Sequence, residues 1–201
     1  MAYNNDFYKR YEDYLLEPSV RKAHDSVLAI TTSDKNFNSV IDFGCGQSNE
    51  FYHFRVPKPY GYLGIDMNAN ERTAVMMKLL KADYRSVRNL RELLHRFKPS
   101  AFVSLFSSEI TALTFNNYTF YEKVFNEVPS IMTGLVSGFF YSSKKDKNPI
   151  EETGGIRSYQ TLESIEDVQS GIFSEKRIIL PVPSKMFGED VFEVWKFFER
   201  K

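Results

Sequence analysis

Val40-Ile41-Asp42-Phe43-Gly44-Cys45-Gly46 is the stretch from which the rest of this 201-residue chain is read. An apolar run from Asn38 to Phe43 breaks at Gly44 and Gly46, and a polar stretch able to open a helix begins at Gln47. Glycines at the end of a buried strand let the backbone of the turn come against a ligand with no Cβ in the way. Asp42 stands just before the turn, at the carboxyl end of the strand, where open α/β sheets bind their ligands. A second apolar run, Tyr60 to Ile65, ends in another acid, Asp66. An acid at the tip of a second strand is placed to grip a pair of ribose hydroxyls.

The order of these residues resembles the class I S-adenosylmethionine-dependent methyltransferases. Their first motif, acid-x-Gly-x-Gly-x-Gly, stands here as Asp42-Phe43-Gly44-Cys45-Gly46-Gln47-Ser48, with Ser48 in place of the third glycine. The acid after the second strand stands in Gly64-Ile65-Asp66-Met67. A nicotinamide-binding Gly-x-Gly-x-x-Gly would need glycine where Asn49 stands, so that reading fits less well. The bland alternative is a glycine-rich turn in some other α/β protein.

The resemblance implies an α/β fold: a Rossmann-like, seven-stranded, mostly parallel sheet with a C-terminal antiparallel hairpin and N-terminal helices. It implies S-adenosyl-L-methionine as cofactor, held by Asp42, Phe43, Gly44, Cys45 and Gly46 at the turn and by Asp66 and Met67 at the second strand. Asp83 and Tyr84 match the position that approaches the adenine, although Asp83 also suits the cap of a following helix. Phe106 and Ser107, at the tip of the fourth strand, would face the methyl group.

Size and composition set the frame. The length fits a single domain, read as residues 1–36 forming a helical cap and 37–201 the Rossmann-like core. Apolar residues make up 42% and aromatic residues 15%, enough for a packed core. The 26 basic residues balance 26 acidic ones, which argues against a protein working chiefly through phosphate contacts and favours a small-molecule partner over nucleic acid. One cysteine leaves no internal disulfide and suits a reducing compartment. Cys45 reads as a packing residue, not a nucleophile. The polar start carries no secretory signal, and the longest nearly apolar stretch, Ile131–Tyr141, is too short to span a bilayer. A soluble, cytoplasmic protein is the expectation, with the oligomeric state left open.

Along the chain, Tyr3–Tyr14 has tyrosines and a phenylalanine at helical spacing, and Ser19–Ile30 sets Val20, Ala23, Val27 and Ile30 on one face. In the resembling enzymes such helices close over cofactor and substrate; the alternative is a tyrosine-rich face packed on the sheet. His24 reads as a partly exposed helix residue, and Ser33–Ser39 as a polar linker. Asn49–Phe54 could form a short helix bringing Tyr52 and His53 near a pocket mouth. The third strand is expected at Ala74–Leu80, directly after a shortened connection; one long helix from Glu71 through Phe97 is the alternative. Arg85–Phe97 is amphipathic, with its basic residues on a solvated face. The fourth strand follows from Ala101 to Phe106, a helix over Asn116–Val128, and the fifth strand at Ile131–Tyr141. Ser142–Tyr159 is a long loop, a lid or an idle excursion. Thr161–Gln169 reads as a helix, and Arg177–Leu180 and Val191–Phe198 as the terminal strand pair.

Some methyltransferase chemistries are set aside. No Asn/Asp-Pro-Pro-aromatic run follows the fourth strand, which excludes the usual amino-methylating site for adenine or glutamine. Without a Pro-Cys pair there is no nucleophile for pyrimidine carbon-5 methylation. No carboxylates converge convincingly on a metal, so none is expected. The remaining expectation is methyl transfer to an oxygen, nitrogen or sulfur atom of an unidentified small molecule or protein side chain. Phe106 could add cation–π attraction to the sulfonium, on the order of ~1 kcal/mol. Glu109 is the candidate for removing the acceptor's proton, against a plain reading as an exposed acid at a helix start. A methyltransferase-like binding module without catalysis is the alternative function.

Overall fold

A computed structural model describes residues 13, 16–31, 35–45, 61–66, 72–74, 77–81, 90–94, 97–104, 118–142, 160–161, 169–181 and 191–201. Strands β1 (Ser39–Phe43), β2 (Gly61–Asp66), β3 (Arg72–Ala74), β4 (Met77–Lys81), β5 (Ala101–Ser104), β6 (Thr133–Ser142), β7 (Gln160–Thr161), β8 (Phe173–Pro181) and β9 (Val191–Arg200) form one mixed sheet. Its order is β3-β4-β2-β1-β5-β6-β9-β8, with β7 pairing β6. The strands from β4 to β6 are mutually parallel, and β9 runs antiparallel between β6 and β8. The described strands number nine where seven were expected. The additional two are the short β3 and β7.

Central position explains the sequence of β1. It pairs with β2 on one side and β5 on the other, and Val40 through Phe43 are all buried. A parallel strand covered on both faces reads as a continuous apolar run, with no alternation to reveal it. One face of the sheet packs on helices α2 (Leu90–Leu94) and α3 (Tyr118–Glu127). Helix α3 presents Tyr121, Val124 and Phe125, a helical stripe, to Ile41, Phe43, Phe102 and Phe198. Phe102 is the hub, with ring centroids of Phe43, Tyr121, Phe125 and Phe198 between 5.7 and 6.3 Å away. Gly134, its register partner on β6, makes room: a Cβ there would stand 2.1 Å from the Phe102 ring.

Helix α1 (Pro18–Thr31) belongs to the other face. Proline at its first position needs no hydrogen-bond partner for the N–H it lacks. Val20, His24 and Val27, spaced along one stripe, are buried, and His24 bonds to Glu193 of β9. A 3-10 turn at Lys35–Asn38 then leads into β1, burying Phe37 against Phe197. The segment expected as a polar linker therefore carries an anchor.

Several expected elements change. Ala74–Leu80 is not one strand: Arg72–Ala74 and Met77–Lys81 form a tight antiparallel hairpin, β4 taking the place beside β2. Pairing with the buried β2 overrides the helix propensity of its Met, Leu and Lys residues, so the long-helix alternative fails. Thr161 lies in β7, not at the start of a helix, because Ser142 of β6 is its register partner. The terminal pair is longer than expected at β8 and β9, reaching back to Phe173 and on to Arg200. The expected helix at Tyr3–Tyr14, apart from Asp13, lies outside the described residues, as do the loop 143–159 and residues 162–168.

Candidate functional site

The carboxyl ends of β1 and β2 carry the two acids singled out in the sequence. Asp42 faces Gly64 across the parallel ladder, and Asp66 is two residues further along β2. Because side chains alternate along a strand, Asp42, Tyr62, Gly64 and Asp66 share one face of the sheet. Strand spacing and rise put the two acidic Cα atoms about 8 Å apart. Gly64 brings no side chain between them. Beyond Phe43 the chain turns at Gly44, whose φ of 78° lies in the left-handed region, and its N–H donates to the Ile65 carbonyl at 2.8 Å. That conformation favours glycine, so the turn is built from residues that keep its backbone accessible.

Asp42 is itself held. Tyr62 donates its hydroxyl to Asp42 Oδ2 at 2.6 Å, with both residues buried. Ser104, at the tip of β5, donates to the Phe43 carbonyl at 2.9 Å and ties the neighbouring strand to the turn. Cys45 is buried and free of any disulfide, in keeping with a packing role. Phe43 points its ring to the α3 face, against Phe102 and Phe120, which leaves only its backbone to a ligand. Gly46, Met67, Asp83, Tyr84, Phe106, Ser107 and Glu109 lie outside the described residues, as do Tyr52 and His53.

Two polar clusters were missed in the sequence. His24 is not partly exposed: it is 1% exposed, and its Nε2 lies 2.6 Å from Glu193 Oε2, beneath the Trp195 ring. The register puts Glu193 opposite Phe140, beyond the level at which β1 and β5 end. On the α3 face, Lys196 is buried, donates to the Tyr118 hydroxyl at 3.0 Å and lies 5.1 Å over that ring. Beside it, Arg177 Nε donates to Glu175 Oε1 at 2.5 Å. Burial lowers Lys196 to about 8 against the opposing pull of Glu175, and the neighbouring Arg177 adds to the lowering. Burial, followed by the charge of Glu175, pushes Tyr118 well above the usual phenol range. Charged letters inside an otherwise apolar strand, as in Phe192-Glu-Val-Trp-Lys-Phe-Phe, were the available signal.

Among the described residues there is no group of three metal-ligating side chains, and no helix is long and apolar enough to cross a membrane.

No protein-family model matches the sequence, and no curated relative does. Solved structures do. The methyltransferase domain of bacterial CtHen1 superposes with a TM-score of 0.52 at 20% identity, covering 87% of this chain and 95% of that one. A SAM-dependent methyltransferase from Anabaena variabilis gives 0.53 at 14% identity, covering 98% and 94%. This is the class I methyltransferase fold. Within that fold, β4-β2-β1-β5-β6-β9-β8 is the sheet, and Asp42 and Asp66 sit on adjacent parallel strands beside the reversal of connection between β1 and β5. Open α/β sheets bind ligands at such a switch point.

Proposed function

We propose that this protein binds S-adenosyl-L-methionine at the tips of β1 and β2 and transfers its methyl group to an oxygen, nitrogen or sulfur atom of a small molecule or protein side chain. The single observation that carries the reading is the pair Asp42 and Asp66 on one face of adjacent parallel strands, next to a turn that begins with a positive-φ glycine. The residues present fit such a ligand. Asp66, half-buried at the tip of β2, accepts the ribose hydroxyl pair in charge-assisted hydrogen bonds. Backbone N–H groups past Gly44, whose own N–H is taken by the Ile65 carbonyl, would be offered to the methionyl carboxylate. The buried Asp42 carboxylate complements the methionyl ammonium. The cofactor supplies an activated methyl group on a sulfonium.

The chain's share of the chemistry is to orient and to exclude water. Ser104 and Gly44 fix the tip of β1 to its neighbours, so the turn is set before a ligand arrives. Phe106 and Ser107 follow β5 in the chain and belong to the proposed cofactor site beside the donor's methyl group, and Glu109 is the proposed base that takes the acceptor's proton. Met67, Asp83 and Tyr84 complete the proposed nucleoside side. The proposed domain is the whole of residues 1–201, acting on a small molecule in the cytoplasm.

Calorimetry with S-adenosylhomocysteine tests the reading. Binding is expected, and Asp66→Ala should weaken it by ~1–3 kcal/mol, the range for a lost hydrogen bond to a charged group. No heat at millimolar ligand refutes the proposal. Labelled donor added with a cell extract then separates an enzyme from a binding module, since only the enzyme passes label on.

A further inference from the structure

Among the described strands, β8 is the outer one, pairing with β9 alone. The direction of its backbone groups follows from two hydrogen bonds. The Lys201 N–H donates to the Ile172 carbonyl, whereas the Arg200 N–H donates the other way, to Met132. Hydrogen-bonded pairs alternate along an antiparallel ladder, so Ser174, Lys176, Ile178 and Leu180 turn their N–H and C=O groups to β9. Phe173, Glu175, Arg177 and Ile179 turn theirs outward. Pro181 obeys the same parity, standing where the N–H it lacks would point away from β9. Glu175 brings this edge to the surface: its side chain is 3% exposed while the residue as a whole is half-buried, so what it exposes is backbone. An outer strand of this kind is a template for another chain.

We propose that β8 is the surface through which two copies of this chain pair, antiparallel about a two-fold axis at Lys176, into one continuous sheet. The outward-facing residues select that register. With the axis at Lys176, Glu175 stands opposite Arg177 of the second copy, and Arg177 opposite its Glu175. An axis at Glu175 or at Arg177 sets like charges against each other at the centre. An axis at Ser174 or Ile178 sets a charged residue against an apolar one, and at Ile178 it also sets Glu175 against Pro181, which has no N–H to give. Opposite charges across an antiparallel pair stabilise it, and like charges weaken it. Lys176 meets its own copy at the axis, but each ammonium is already bonded to Glu199 of its own β9 at 2.5 Å. The same axis brings Ile179, 47% exposed, to the level of Phe173 of the second copy. A cavity of about 770 Å³ lies there, lined by Gln169, Ser170, Phe173, Glu175 and Lys201 among others. An exposed aliphatic side chain and an open cavity therefore meet at both ends of a contact that closes on itself. Strands β5, β6 and β9 separate this edge from β1, so the pairing does not depend on the ligand reading.

The test uses the full chain. Light scattering over a concentration series should show the mass rising towards twice that of the chain. Ile179→Lys should weaken the pairing by about tenfold or more, as when a buried aliphatic side chain is lost. Lys176→Cys reads the register at a position whose side chain is 67% exposed. Residues opposite each other in a non-hydrogen-bonded pair have Cα atoms about 4.5 Å apart, within reach of a disulfide. Mild oxidation should therefore link Lys176→Cys into a covalent dimer. Ser174→Cys and Ile178→Cys should each stay unlinked, and the two together should link, because those positions face each other. Cys45, buried in the glycine turn, does not compete. A chain that stays monomeric at every concentration overturns the proposal. So does a dimer that Ile179→Lys leaves intact, or one in which Ser174→Cys or Ile178→Cys alone links as readily as Lys176→Cys.

Discussion

Lys196 should make the stability of this protein rise with pH where most proteins lose it. The side chain is buried between Tyr118 and the Glu175–Arg177 pair, and burial brings it down to about 8, against 10.5 for a free lysine. That gap corresponds to at most ~3 kcal/mol of preference for the neutral amine in the folded state. Between pH 8 and pH 10.5 the unfolded chain therefore holds this proton more firmly than the folded one. Stability must grow across that window by linkage, since the unfolded state binds more protons. Below pH 8 both states are protonated and the whole penalty for the buried cation is present. Tyr118, pushed up by burial and by Glu175, opposes the effect only towards pH 10, where the unfolded phenol starts to lose its proton, and that contribution is common to wild type and the methionine variant. Urea unfolding at stepped pH from 7 to 10, on wild type and on Lys196→Met, isolates the term. The methionine variant should be more stable at pH 7 by ~1–3 kcal/mol, as when a buried charge gives way to an apolar chain of similar size. Its advantage should shrink as pH rises. Parallel stability curves for the two proteins would refute the reasoning.

Two further outcomes concern packing. Gly134→Ala drives a methyl group to 2.1 Å from the Phe102 ring, which four other aromatic rings hold in place, so a loss of ~1–3 kcal/mol or more is expected in thermal unfolding. An unchanged melting temperature would mean that the ring can step aside. Glu193→Ala removes one partner of the buried contact between α1 and β9 and should cost ~3–5 kcal/mol, with Glu193→Gln milder at ~1–3 kcal/mol because the amide still bonds to His24. Hydrogen exchange should show α1 opening selectively in the alanine variant; uniform loosening of the whole domain would count against a local latch.

What the sequence disclosed was the centre of the molecule. Val40–Gly44 and Asp66 were legible because a parallel strand buried on both faces is an unbroken apolar run, and because glycine after it has few other uses. The edges were less legible. Arg72–Lys81 carries helix-favouring residues, and only the open side of β2 turns it into a hairpin. The polar letter at His24 misled in the same way, since it reads as partly exposed until Glu193, far off in the chain, is beside it; the partner of Lys196 is likewise remote. The Tyr62–Asp42 bond was hidden for a related reason: a tyrosine within an apolar strand reads as core, and nothing local points its hydroxyl at the neighbouring strand.

The contact between His24 and Glu193 joins residues 169 positions apart. On the ribosome, helix α1 leaves the exit tunnel well before its polar partner on β9 is made. Strand β9 must also slot between β6 and β8 rather than add at an edge. At synthesis speeds of roughly 5–20 residues per second, α1 waits on the order of ten seconds for its seat. Until then the β6 side of the growing sheet stays open, a long-range closure of the kind that slows folding. Nascent chains truncated before Val191 should accordingly recruit chaperones that chains carrying all of β9 shed.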